Sequence, residues 1–182
     1  MASRPNSKIV TYEEWLRMPE VKGEEVVNGE IRIMLPPSWN HSEIIQNVYD
    51  SIRPQVDKRN VRVKCTGFGL IIRRQPLTSR VPDLAMFHTN TIVEQDGCIH
   101  SAPQLIVEVL SPSNTRRERE EKLSDYASIG VPEVWFIARD RTVEVLYLED
   151  GQLRRHAILA DGALTPMHFP NVQVAISEIW PD

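Results

Sequence analysis

Cysteine is scarce in this chain of 182 residues, which holds two, Cys65 and Cys98. They lie far apart, fit no zinc spacing, and read as reduced thiols of a cytoplasmic protein. The remaining histidines besides His41, namely His88, His100, His156 and His168, show no metal-ligand spacing either. No apolar run is long enough to span a bilayer. Met1 to Ser7 is polar and lacks the apolar core of a signal peptide. Residues 1–10 are expected to be frayed, which leaves residues 11–182 as a single domain. The motifs G-x-x-x-x-G-K, G-x-G-x-x-G and G-x-S-x-G are all missing, so a P-loop hydrolase, a dinucleotide-binding enzyme and an α/β-hydrolase lack support. There is no surplus of cations. Lys and Arg number 21 against 25 Asp and Glu, for a net charge of -4. That argues against a protein coated for nonspecific nucleic-acid binding, while a local basic groove is still compatible with it. Internal repeats, low-complexity tracts and inter-domain linkers are absent too.

What is present is an ordinary globular composition, 41% hydrophobic and 25% charged. One stretch organises the rest: Pro103-Gln104-Leu105-Ile106-Val107-Glu108-Val109-Leu110-Ser111-Pro112. It is apolar without alternation, as expected of a strand buried on both faces. Glu108 sits in its middle. A lone carboxylate there costs roughly several kcal/mol unless it is paired, hydrogen-bonded or bound to a metal.

Along the chain, Thr11 and Glu14 form a capping box that opens a short helix, and Pro19 stops it. Asn28-Gly29 predicts a type I′ hairpin, with its second run over Ile31–Leu35. A long helix follows, with Asn40 as N-cap, Glu43 three residues on, and the stripe Ile44, Val48, Ile52 and Val56; Pro54 kinks or ends it. Val61–Cys65 and Leu70–Arg73 predict two strands joined through Gly67 and Gly69. Pro82 suits a strand start, and Asp83 enters that strand as its apolar part begins. His88 to Ser101 is mostly polar and is expected to be a surface connection with little regular structure. Thr115 and Glu118 make a second capping box, opening a helix through Ile129 with inner face Leu123, Tyr126 and Ala127 and with Gly130 at C′. Glu133–Ile137 then completes a right-handed βαβ unit. Asp150-Gly151 turns a C-terminal hairpin, and Val172–Val174 adds a last short strand.

Asp83, Glu108 and Lys122 form the chemical constellation. Two carboxylates on neighbouring strands suit a hard divalent cation such as Mg²⁺, and a nearby lysine can stabilise developing negative charge. Glu108 lies about 7–10 Å from the end of its strand. Lys122 lies about 10 Å along the helix that runs back over the sheet. The two levels match. The bland alternatives are a turn aspartate, a solvated helix lysine with Glu118 as partner, and a structural Glu108–Lys122 ion pair. His41 in the first turn of the long helix is a candidate to touch a phosphate or a metal-bound water. Glu25, just before the hairpin turn, is a possible further acid near the metal. Arg73–Arg74 and Arg116–Arg117–Arg119 are the basic clusters.

These residues carry a resemblance. Pro82-Asp83, Glu108-Val109-Leu110-Ser111-Pro112-Ser113, Lys122 with Tyr126, Gly130-Val131-Pro132-Glu133 and Trp135 resemble the Uma-type restriction endonuclease family, a branch of the PD-(D/E)xK nuclease superfamily. Glu25-Val26-Val27-Asn28-Gly29-Glu30 and His41 are similar to its opening hairpin and first long helix. The resemblance implies a mixed α/β chain with a restriction-endonuclease-like fold: a central mixed β-sheet flanked by helices, with β-hairpins at both ends and the active site where the central strands splay. It implies Mg²⁺ (Mn²⁺ as substitute) on Asp83, Glu108 and the Val109 carbonyl, with Lys122 as the motif lysine. It also implies DNA as substrate and a homodimer. The sequence departs from the superfamily pattern in that Leu110 stands two residues after the glutamate, where the lysine is expected. Glu24 and Asn28 depart from the hairpin pattern, which favours an aromatic residue and an aspartate there. The expectation is a metal-dependent phosphodiesterase. The alternative is a nuclease-fold protein that binds nucleic acid or a protein partner without cutting. A metal-independent enzyme on a small substrate has no nucleophile–base pair behind it.

Overall fold

A computed structural model describes residues 9–18, 24–65, 67–111 and 115–181. Among the described residues the helices are α1 (Tyr12–Leu16), α2 (Trp39–Ile52), α3 (Arg116–Ser128) and α4 (Ile176–Ile179). The strands are β1 (Glu24–Val27), β2 (Glu30–Ile33), β3 (Val61–Cys65), β4 (Leu70–Arg74), β5 (Leu77–Arg80), β6 (Leu84–His88), β7 (Glu94–Gln95), β8 (Cys98–Ile99), β9 (Leu105–Val109), β10 (Glu133–Ile137), β11 (Val143–Glu149), β12 (Gln152–Leu159), β13 (Ala163–Leu164) and β14 (Val174–Ala175). The result is the mixed α+β architecture expected. The main sheet runs β12-β11-β10-β9-β6-β3, mixed because β9 and β10 are parallel while its other neighbours are antiparallel. A second sheet, β2-β1-β5-β4-β8-β7, stands beside it.

The layers follow from side-chain alternation. On β9, Leu105, Val107 and Val109 join the core that contains Ile45, Val48 and Ile52 of α2. Ile106 faces the other way, into a core shared with Tyr126 of α3 and with Leu70 and Ile72 of β4. The outer side of the second sheet buries Val26, Ile71 and Leu77 beneath Tyr12 and Trp15 of α1. Every residue of β9 and β10 is buried, as the unalternating runs require.

Both capping boxes are present, at Thr11–Glu14 and Thr115–Glu118. The turn residues Asn28 and Gly29 have φ of 54° and 80°, the left-handed pair a type I′ hairpin needs. Gly130 closes α3 at φ 82°. The α-helical part of α2 ends at Ile52, and Pro54 falls in a 3₁₀ turn over Arg53–Gln55.

Elsewhere the structure corrects the reading. The N-cap of α2 is Ser38, not Asn40: Pro36-Pro37 lead extended backbone into Ser38, whose Oγ accepts from the His41 N–H at 3.3 Å. β3 and β4 are both present where two strands were expected, and they belong to different sheets. β5 has no apolar pattern, yet all four of its residues are buried. Its polar groups are satisfied internally, for example Thr78 Oγ1, which accepts from the Asn28 N–H at 3.1 Å. The polar stretch after β6 forms a 3₁₀ turn and the small β7–β8 hairpin, turned by Asp96-Gly97. The last strand is Val174–Ala175 and pairs with β13. Val10, placed in the frayed arm, is buried and donates to the Gly29 carbonyl at 2.8 Å. The rest of that arm (1–8), Pro19 and the Pro112-Ser113 pair lie outside the described residues.

Candidate active site

Glu108 sits on the α3 face of β9 and is 5% exposed. Both of its oxygens are engaged. Oε2 accepts from Lys122 Nζ at 2.7 Å, and Oε1 accepts from the Tyr126 hydroxyl in a short bond. Lys122 and Tyr126 are four residues apart on α3, so one helix face presents an ammonium and a phenol to one carboxylate. The helix can do this because its capping box fixes where it starts and Tyr126 anchors it in the core.

Asp83 arrives from the neighbouring strand. β6 and β9 pair with Leu84 opposite Val107, so Asp83, one residue earlier, lies level with Glu108. Its Oδ2 accepts from the Val109 N–H at 2.8 Å. Its Oδ1 is 3.1 Å from His41 Nε2 in the first turn of α2. A carboxylate only accepts, so Nε2 carries the proton in that bond.

Glu25 completes the ring from β1. Its Oε1 lies 3.7 Å from Lys122 Nζ and accepts from the Val81 N–H at 3.2 Å. Its Oε2 accepts from Arg80 Nη1 at 2.7 Å. Arg80, 2% exposed, turns its Nε and Nη2 to Asp125 Oδ2 at 2.9 and 2.7 Å. Arg73 reaches the other Asp125 oxygen at 3.3 Å. The five predicted catalytic side chains, Asp83, Glu108, Lys122, His41 and Glu25, therefore meet in one cluster, and the sixth predicted site residue, Val109, borders it through its N–H to Asp83. Sequence reasoning missed Arg80 and Asp125, and gave Tyr126, though part of the family resemblance, no role beyond packing. The available signal was spacing: Asp125 and Tyr126 follow Lys122 by three and four residues, and Arg80 stands three before Asp83.

Burial pushes the Glu108 carboxyl up to about 7, and Lys122 beside it only partly offsets this, since Asp83 adds to the rise. Burial alone would lower the Lys122 ammonium, but the carboxylates of Glu108 and Glu25 outweigh it and hold it above the usual lysine value. The two rises are compatible because the lysine faces several acids, whereas Glu108 faces one cation and a rival carboxylate. Burial, then Glu108, holds the Tyr126 phenol well above its usual value, so it stays a donor.

The basic clusters are largely spoken for. Arg116 pairs with Glu120 at 2.7 Å and Arg117 with Glu121 at 3.0 Å. Arg119 pairs with Glu144 and lies over the Phe136 ring, and Arg74 lies over the Tyr12 ring. Among the described residues no helix is long and apolar enough to cross a membrane, and both cysteines are free.

No group of three or more His, Cys, Asp or Glu side chains among the described residues could hold a metal ion by itself. The donor set still fits Mg²⁺. That ion needs only one or two protein carboxylates and keeps water on its other positions, and Asp83 and Glu108 are hard oxygen donors close enough to repel each other.

Comparison with known proteins bears on the fold and the family. No curated protein matches the chain. A solved structure, a "putative nuclease belonging to DUF820" from Anabaena variabilis ATCC 29413, shares the fold with a TM-score of 0.76. It is 23% identical, over 93% of this chain and 97% of that one. The family model "Uma2: Putative restriction endonuclease" matches residues 10–177. The match runs from the α1 cap to α4 and takes in every residue of the cluster, and on it the chain belongs to the Uma2 family.

Proposed function

We propose that the chain is a metal-dependent nuclease that hydrolyses phosphodiester bonds in DNA. The observation that carries this reading is the convergence of Asp83, Glu108 and Lys122, with Lys122 Nζ 2.7 Å from Glu108 although it comes from the following helix. Lys122 thus stands in for the lysine missing at Leu110. Asp83, Glu108 and the Val109 carbonyl would hold Mg²⁺, or Mn²⁺ in its place. Such a cation would supply Lewis-acid charge at the scissile phosphate and lower the pKa of a water it holds. Asp83 is held on both oxygens, by the Val109 N–H and by His41, so it enters the reaction already oriented. Lys122 keeps its proton and donates to the phosphate oxygens as negative charge builds on them. His41, with 16% of its side chain exposed, contacts the phosphate or the attacking water from the open side. Glu25 holds the far side of Lys122. Cutting both strands of a duplex takes two such sites, which a homodimer supplies.

A second reading has its own observation: both Glu108 oxygens already receive donors from within the chain. On that reading the Glu108–Lys122 pair is structural, and the protein binds nucleic acid or a protein partner without cutting.

Incubation with single- and double-stranded DNA and RNA, with and without Mg²⁺ or Mn²⁺, separates the two. The nuclease reading predicts cation-dependent cleavage of DNA, reduced by about a hundredfold or more in Asp83→Asn, Glu108→Gln and Lys122→Ala. Absence of cleavage of every substrate by the wild type, or cleavage indifferent to these substitutions, contradicts it.

A further inference from the structure

The geometry points to Lys122 as the resting occupant of the cation position on Glu108, and to Glu25 as the acceptor that receives its ammonium when a divalent cation binds. This rests on the metal-dependent reading above. Lys122 Nζ sits 2.7 Å from Glu108 Oε2, so a divalent cation bound to that oxygen meets a like charge at close range unless the ammonium withdraws.

Tyr126 is not the one to move. Its side chain is fully buried, and turning the phenol away from Glu108 would break a hydrogen bond inside the core. Asp83 is pinned as well, on one oxygen by a backbone N–H that the β9 strand fixes in place. Lys122 is different. It carries its charge on a flexible four-carbon stem, and 17% of its side chain is exposed. A second carboxylate oxygen, Glu25 Oε1, lies 3.7 Å from Nζ, just beyond hydrogen-bond length and within reach of a rotation at the end of the chain. That acceptor is held in place. Glu25 is 4% exposed, and its carboxylate receives the Val81 N–H at 3.2 Å and Arg80 Nη1 at 2.7 Å. Arg80 is itself fixed by two donations to Asp125 Oδ2, and Asp125 lies on the same helix as Lys122.

Glu25 is therefore a positioning residue for Lys122 and not a ligand. In the resting protein the ammonium neutralises Glu108. On loading it withdraws by one hydrogen bond's length, stays inside the site, and faces the place where a phosphate would enter. Because the ammonium and a divalent cation of like sign compete for Glu108 Oε2, Lys122 weakens cation binding, and Glu25 relieves that competition.

The test is calorimetric titration of Mn²⁺ into the full chain as wild type, Lys122→Met, Glu25→Gln and the double variant, with thermal unfolding of each recorded. Lys122→Gln replaces Lys122→Met should the latter fail to fold. Lys122→Met is expected to bind Mn²⁺ on the order of tenfold more tightly than wild type, a coupling usual for close charge pairs. Lys122→Arg, which keeps the charge, is expected to stay near the wild-type affinity. Glu25→Gln is expected to weaken binding on the order of tenfold when Lys122 is present and far less when it is absent. Equal weakening by Glu25→Gln in both backgrounds would make Glu25 a direct ligand and overturn the inference. So would unchanged or weaker binding in Lys122→Met, with the nuclease reading left standing. Absence of Mn²⁺ binding in all four proteins overturns the inference and the metal-dependent reading together.

Discussion

A carboxylate in the middle of a buried strand needs partners, and Glu108 has two, an ammonium that balances its charge and a phenol that donates a hydrogen bond. The elevation of its pKa has a consequence for stability. Its value rises from an ordinary 4.5 to about 7 in the folded protein, so folding favours the protonated form. The stability this group contributes is complete below about pH 4.5 and is lost as pH rises through 7. Metal-free wild type is expected to lose on the order of 3 kcal/mol relative to Glu108→Gln between those limits. Denaturant unfolding of both proteins across that range would show it, and parallel stability curves would contradict it. Tyr126→Phe strips Glu108 Oε1 of its donor and should cost roughly 1–3 kcal/mol by the same measurement. Glu108 was legible in the sequence because a charge inside an unalternating apolar run needs a partner. Lys122 was legible because strand rise and helix rise bring the two to one level. The second role of Tyr126 was not, because an aromatic on the inner face of a helix reads as packing whether or not its hydroxyl also donates.

Elements carry these residues into place, and the two that matter most differ in how they are held. α3 is specified locally. Its capping box sets the register that aims Lys122, Asp125 and Tyr126 at the sheet. Thr115→Ala should cost about 1 kcal/mol and should lower any cleavage activity, since the first turn frays. β5 is specified only by its surroundings. Its Leu-Thr-Ser-Arg sequence has no strand pattern, and it is a strand through its pairing with β1 and β4, which also brings Arg80 to Glu25 and Asp125. Arg80→Met takes the nearest cation from two buried carboxylates, leaving Asp125 only Arg73 at 3.3 Å and Glu25 only Lys122 at 3.7 Å, and should destabilise the protein by roughly 3–5 kcal/mol, read from its denaturation midpoint. That contrast explains what was readable. Capping boxes, the Asn28-Gly29 and Asp150-Gly151 turns and the βαβ unit are local signals, and each appears where expected. β5, the separation of β3 from β4 into different sheets and the β7–β8 hairpin depend on long-range partners, which a single sequence does not display.

At the scale of the whole molecule, residues far apart in sequence converge on one point between the two sheets. β1 brings Glu25, α2 brings His41, the entry to β6 brings Asp83, β9 brings Glu108, and α3 brings Lys122. The layering places α2 on one face of the main sheet and α3 on the other, and Asp83 at a strand end is held by His41 of α2 and by the Val109 N–H of β9. The arginines of the Arg116–Arg117–Arg119 cluster, by contrast, are each matched by a carboxylate of the same chain, the first two on the exposed surface, which offsets their charge. The account thus asks the cation at the carboxylates, more than a basic coat, to draw the phosphate in. The most direct test of that claim is calorimetric titration of Mn²⁺, in the presence of a DNA duplex, into wild type and into Glu108→Gln. The account predicts saturable binding to the wild type that disappears in Glu108→Gln. No binding to either protein, or equal binding to both, would contradict it.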